Sequence, residues 1–254
     1  MFNYLHNIMD CIVEKDFGKK IKNESLGKSM VYLFIFMLIV GSLFMLKTDL
    51  ILFNSIIEET DNVKYNFANF EIKDGKFIYY GAMPVVKVEE GFATVIDTTG
   101  TTNEEILNKY EGGIFISETK FVVKNATEER KINFSDYKGY NLTKTELLNS
   151  IQIYTIPVLS VIFILGVIVL YLLKLLAVFI FSVAPVIMTS RLKLNIDYSN
   201  ILQVTIYSIT LPTIIKCVLF IFNVNIPFFF ILYYLIATYY IVRYLKLYKN
   251  ETLE

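Results

Sequence analysis

Residues 151–189 form a run of 39 residues that carries one charge, Lys174. At ~1.5 Å rise per residue, an unbroken helix of that length would be roughly 58 Å long, about twice the ~30 Å hydrocarbon core of a bilayer. The run must break, tilt or leave the membrane, and the place where it does so governs the topology of the remainder. With hydrophobic residues at 55% of 254 positions, the chain is too apolar for an ordinary soluble domain. It reads as an α-helical integral membrane protein.

Charge is balanced overall but not along the chain. Residues 47–150 hold 12 Lys/Arg against 17 Asp/Glu, and the rest holds 12 against 7. An acidic block on a basic apolar scaffold argues against nucleic-acid binding and for a soluble domain carried by membrane helices. The two cysteines, Cys11 and Cys217, lie outside that block, so no disulfide framework is available to it. A single histidine, His6, removes most His-based metal and acid/base chemistry. No catalytic, cofactor-binding or metal-binding set emerges, and the chain is read as a non-enzyme.

Residues 1–28 form a cytoplasmic segment. Phe2, Leu5, Ile8, Met9, Ile12 and Val13 follow amphipathic helical spacing, and Lys15, Lys19, Lys20, Lys22 and Lys28 follow. Such a helix lies on the inner membrane surface or packs against the protein's own cytoplasmic face. Residues 29–46 are an uncharged first span, and the lysines before it place the N-terminus inside. With a 28-residue polar lead and no small-x-small cleavage pattern after it, this span reads as a signal anchor.

Residues 47–150 are read as an extracytoplasmic α+β domain inserted between spans 1 and 2. Its strand-like runs are 64–72, 76–81, 85–88, 93–97, 113–117, 120–124 and 130–134, and Asp74-Gly75 fits a two-residue hairpin turn. Capping boxes at Thr102–Glu105 and Thr143–Glu146 predict helix starts, the second one feeding into the membrane. Residues 151–173 form span 2, with Lys174 at its inner edge. Residues 174–200 are an interfacial or re-entrant segment, interrupted by Pro185, and a cytoplasmic loop holding Arg191 and Lys193. Spans 3 and 4 are residues 201–222 and 227–242, and 243–254 is a cytoplasmic tail with Arg243, Lys246 and Lys249. Four spans with both termini inside satisfy the positive-inside rule.

Lys216 is the sharpest intramembrane signal, because a charge in hydrocarbon costs ~2.5–3.5 kcal/mol unless paired or hydrated. It either snorkels toward the outer turn near Asn223 or marks a substrate site beside Pro212. Pro212 itself is a kink, or a helix break with carbonyls free to coordinate. Outside the membrane, Val95-Ile96-Asp97-Thr98-Thr99-Gly100 is the most motif-like stretch. An aspartic protease would need Asp-Thr-Gly twice, and an aspartyl-phosphate pump would need a cytoplasmic ATP domain. Asp97 and Gly100 are therefore read as a structural or ligand-binding turn.

The amphipathic start, the first span, about 100 intervening residues, Asp74-Gly75, the 95–100 stretch and the proline-bearing third span together resemble a known family. It is a family of uncharacterised bacterial integral membrane proteins, a domain of unknown function, some of whose members carry a maltodextrin-utilization label. The resemblance implies a four-span plasma-membrane protein, while no residue reads as a carbohydrate site. The expected function is a non-enzymatic accessory, scaffold or sensory subunit. Its partners are the lipid bilayer, a membrane protein and an unidentified small ligand, with no cofactor. The alternative is a small transporter or permease component related to sugar utilization.

Overall fold

The computed structural model describes residues 2–14, 17–22, 24–191 and 194–251, with side chains described for those from 6 to 246. Lys15 and Lys193 of the expected cytoplasmic charges lie outside the described residues, and the side chains of Phe2, Leu5 and Lys249 are outside them too. The chain divides into two units, residues 1–52 with 159–254, and residues 53–158.

The first unit is helical. It comprises α1 (Phe2–Val13), α2 (Phe17–Lys22), the start of α3 (Leu26–Asn66), the end of α4 (Lys144–Phe181), α5 (Val183–Arg191), α6 (Tyr198–Ser208), α7 (Thr210–Ile221) and α8 (Phe229–Glu251). Residues 201–210, covering most of α6 and the start of α7, are all buried. That stretch is the centre of the unit, and Tyr32, Phe36, Tyr207, Ile241 and Tyr244 pack in the same core. Among the described residues, three segments are long and apolar enough to cross a membrane: Leu26–Asn66, Lys144–Arg191 and Tyr198–Ile221. Of the most apolar window in the second of these, only 11% is buried within the chain, against 56% in the third. A helix that is apolar all round and bare of protein neighbours suits lipid. Tyr233, Tyr234, Tyr239, Tyr240, Arg243 and Tyr244 dilute the apolar character of α8, which is not among the three.

The amphipathic start is held by the protein's own helices. Cys11, Phe17 and Ile21 are buried, and the Phe17 ring meets Tyr207 edge-on at 5.0 Å. The last carbonyls of a helix lack intrahelical donors, and α8 supplies them for α1. Tyr240 and Arg243 donate to Ile12 O at 3.2 and 3.3 Å, Tyr244 to Cys11 O at 2.5 Å, and Arg243 to Glu14 O at 2.7 Å. Met9 and Val13 remain exposed.

Three stretches of the sequence reading gain detail here. The helix α4 runs on through Lys174 to Phe181. The interruption falls at Ser182, with Pro185 in the first turn of α5, where its missing N–H costs no helical bond. The run 201–222 is two helices that meet at Ile209.

The second unit combines the end of α3, the start of α4 and eight strands. A three-stranded sheet has the order β2 (Lys76–Tyr79), β1 (Phe70–Lys73), β8 (Leu142–Thr143). A five-stranded sheet runs in sequence through β3 (Val85–Glu89), β4 (Phe92–Ile96), β5 (Gly112–Ile116), β6 (Lys120–Lys124) and β7 (Glu129–Asn133). All its pairs are antiparallel except β4 with β5. Asp74 and Gly75 have φ of 51° and 77°, the two positive values that a type I′ turn requires, and they join β1 to β2 as expected. Glu90-Gly91 repeats the device between β3 and β4, with φ of 47° and 83°.

The expected strand at 64–72 is a correction. The helix α3 continues to Asn66, and β1 starts only at Phe70. Lys144 closes the end of α3 by donating from Nζ to Lys64 O and Phe67 O at 2.9 and 2.7 Å. The expected helix after Thr102 is a 3-10 turn, Glu104–Lys109, capped instead by Asn103, whose side chain accepts from Glu105 N. The second capping box forms: Thr143 N and Oγ1 both donate to Glu146 Oε2 at 2.8 Å, and Glu146 N donates to Thr143 Oγ1 at 3.2 Å. These bonds hold the Glu146 carboxyl below its ordinary range, the backbone N–H contributing most.

Candidate functional sites

Side chains alternate across a sheet, and the two faces of the five-stranded sheet have different fates. On one face Ala93, Val95, Phe115 and Val122 pack under Leu107 of the 3-10 turn. Close approach is required there: a Cβ on Gly113 would lie 2.4 Å from Ala93 O and 2.8 Å from Leu107. On the other face Thr94, Ile96, Ile114, Ile116 and Phe121 line a cleft of about 330 Å³. Phe70, Ile72 and Phe77 of the three-stranded sheet and Phe134 close it opposite. Glu59, Asn62, Val63 and Phe67 from α3 and its exit, with Leu147 from α4, complete the lining. Glu59, Asn62 and Thr94 are its only polar side chains, so the cleft suits an apolar group with one polar end.

Asp97 lies at the end of β4, fully buried. Its Oδ1 accepts from Thr99 N at 2.8 Å and Thr99 Oγ1 at 2.6 Å. Its Oδ2 accepts from Thr101 Oγ1 at 2.8 Å, Thr102 N at 2.6 Å and Thr102 Oγ1 at 2.8 Å. Burial alone would raise the carboxyl, but the bonds from Thr99, Thr102 and Thr101 outweigh it and hold it well below the usual carboxylate range. Gly100, at φ +78°, has open space where a Cβ would sit. Both carboxylate oxygens are occupied by the chain's own donors, so the turn is a clamp with no acceptor to offer a ligand.

In the helical unit, Lys216 and Pro212 are both on α7. Pro212 is buried and sits in the first turn, after the break at Ile209. Ile209 O accepts from Thr213 N at 3.1 Å and from Thr213 Oγ1 at 2.6 Å, so the break leaves that carbonyl occupied. Lys216 is exposed and lines a cavity of about 350 Å³ together with Lys174, Phe181, Phe230, Tyr233 and Tyr234, among others. Sequence reasoning placed Lys174 at a membrane boundary; the structure makes it the anchor of a polar group. Lys174 Nζ donates to Thr213 Oγ1 and Tyr233 OH, both at 3.1 Å, and those two oxygens are 2.9 Å apart. The signal available in sequence was the single charge within a 39-residue run.

Lys47 is a second side chain that sequence reasoning passed over. Its Nζ donates to Phe220 O, to Ile221 O at 2.9 Å and to Asn223 Oδ1 at 2.5 Å, closing the C-terminus of α7. Among the described residues, no group of three His, Cys, Asp or Glu side chains is placed to hold a metal ion.

A family model matches residues 6–245, nearly the whole chain. This chain belongs to the family described as "Protein of unknown function (DUF1189)". No curated protein matches the chain, and no solved structure does. The family match carries no activity and no link to maltodextrin use.

Proposed function

We propose that this DUF1189 member is a non-enzymatic accessory or sensory subunit of the plasma membrane whose α+β unit binds a partner or ligand. The supporting observation is the apolar cleft, because its walls come from both sheets and from α3 and α4 together. These are the two helices within which the chain passes from one unit to the other, at 52–53 and 158–159. An occupant touching Val63 and Leu147 binds more tightly to one arrangement of the two helices than to another. That differential affinity is the requirement for a sensor.

The same reading has four spans, the fourth being α8, with both termini cytoplasmic and residues 47–150 outside. Positive charge near the ends of the apolar segments supports it. In cells lacking the gene, the chain without residues 65–140 inserts in the membrane but fails to restore the wild-type phenotype. Ile114→Glu, which puts a charge in the cleft, fails likewise, while Ile132→Glu, at an exposed position on β7, restores it. Full restoration by Ile114→Glu and by the deletion rejects the proposal.

A second reading, a small transporter or permease component, draws on the cavity shared by Lys174 and Lys216. It predicts impaired uptake by Lys216→Ala in proteoliposomes, and wild-type flux from that variant rejects it.

A further inference from the structure

Two lysines share the cavity of the helical unit, and neither has an anionic partner there. Lys174 sits within the most apolar segment, Lys144–Arg191, and among the described residues has neutral partners only: the Thr213 and Tyr233 hydroxyls at 3.1 Å and the Tyr233 ring at 5.1 Å from Nζ. Lys216 follows Thr213 by three residues on α7, which puts the two side chains on one helix face. Among the described residues Lys216 makes no hydrogen bond or ion pair. Between Leu147 and Asn250 the sequence contains one carboxylate, Asp197, at the N-cap of α6 and absent from the cavity lining.

A cationic group surrounded by low-dielectric material is stable only when paired or hydrated, and two like charges facing one space raise that demand. Snorkelling relieves Lys216, whose head is exposed, but not Lys174, whose Nζ is tied inward to α7 and α8. No carboxylate lines the cavity, so a counter-charge placed between the two lysines would come from outside the chain. The cavity opens where Lys216 and Phe230 are exposed, and Phe181, Phe230 and Tyr234 give it an apolar wall beside the charged one. That combination matches a polyatomic anion carried on an apolar body.

We propose that this cavity binds a phosphate or carboxylate group between the ammonium groups of Lys174 and Lys216, with the Tyr233 hydroxyl as a further donor. The same chemistry is offered by the headgroup of an anionic lipid and by a free anion. Binding at this site does not depend on whether the α+β unit is a sensor.

The test uses the full chain in nanodiscs, with helix unfolding followed by circular dichroism and bound lipid by native mass spectrometry. In one arm the discs are pure phosphatidylcholine and sodium phosphate is titrated at constant ionic strength. In the other, part of the phosphatidylcholine is replaced by phosphatidylglycerol. Wild type and Lys216→Arg gain thermal stability in at least one arm, and Lys216→Met requires roughly tenfold more anion for the same gain, the expected loss of one charge-assisted contact. Lys216 has no partner to lose, so Lys216→Met keeps the fold; Lys174→Met is the second variant and shows the same weakening. A gain with phosphate in pure phosphatidylcholine identifies a free anion, and a gain with phosphatidylglycerol alone identifies a headgroup. No gain in either arm, or a gain in Lys216→Met equal to that of wild type, overturns the proposal.

Discussion

Asp97→Asn tests the packing account of the α+β unit most severely. The carboxylate accepts five hydrogen bonds from three threonines and is fully buried. Three of the donors are hydroxyls that can rotate elsewhere. The other two, Thr99 N and Thr102 N, are backbone groups fixed by the turn. An amide keeps one acceptor oxygen and turns an NH2 toward the donors of the other side. One backbone N–H is then left without its acceptor, at ~1–3 kcal/mol, and the loss of charge assistance weakens the remaining bonds. The sum is about 2–4 kcal/mol, which for a unit of this size lowers the melting midpoint by roughly 10–20 °C.

Pulse proteolysis in urea, on the full chain in mild detergent, reads this as earlier cleavage within residues 53–158. The pH dependence has a definite sign. A carboxyl whose folded pKa is depressed stabilises the fold above its unfolded value, ordinarily 3.8, and that stability is lost as pH falls toward the folded value. The gap between wild type and Asp97→Asn is therefore constant from neutral pH to about pH 5 and closes only under strong acid. A variant within ~0.5 kcal/mol of wild type at pH 7, the range of an ordinary surface change, refutes the clamp.

Three further outcomes follow from the same geometry. Lys144→Met leaves Lys64 O and Phe67 O without their donor; hydrogen exchange in the last turn of α3 speeds up, for a loss of about 1–3 kcal/mol. Gly113→Ala forces a Cβ against Ala93 O, a backbone atom that cannot swing aside; the β4–β5 pair loses ~1–3 kcal/mol as overpacking, read by the same proteolysis assay. Glu104 accepts from Lys120, which is the main reason its carboxyl falls to about 2, and from Lys131. Its side chain is 22% exposed, so Glu104→Gln costs no more than ~1 kcal/mol above pH 4.5, and that difference disappears as pH falls from 4.5 to about 2.

Local chemistry was legible in the sequence where a short motif contains its own reason. Asp74-Gly75 reads as a turn because few other pairs accept two positive φ values, and Thr143–Glu146 reads as a cap because the two side chains satisfy each other's backbone. The Thr102 box fails for an equally physical reason: Asp97, five residues earlier, takes the Thr102 hydroxyl and N–H, and Asn103 becomes the cap. The end of α3 was misread because Tyr65 and Phe67 alternate with polar residues as a strand would, whereas Lys144, 80 positions away, caps a helix there. Lys174, Thr213 and Tyr233 are separated by 39 and 20 positions. Nothing short of the tertiary fold brings them together. A lone charge in an apolar run flags one member of such a group and hides the others.

The account as a whole requires the α+β unit to face the outside and the ends of the apolar helices to face the cytoplasm. Single cysteines answer this directly, because both native cysteines are buried. Glu128→Cys, Ser190→Cys and Lys246→Cys are made separately, and intact cells are treated with a membrane-impermeant maleimide. Glu128→Cys is labelled at once, while Ser190→Cys and Lys246→Cys are labelled only after permeabilisation. Labelling of Ser190→Cys in intact cells would mean that the chain is back on the outer face by the end of α5, which adds a span, and would contradict the topology on which the proposed function stands.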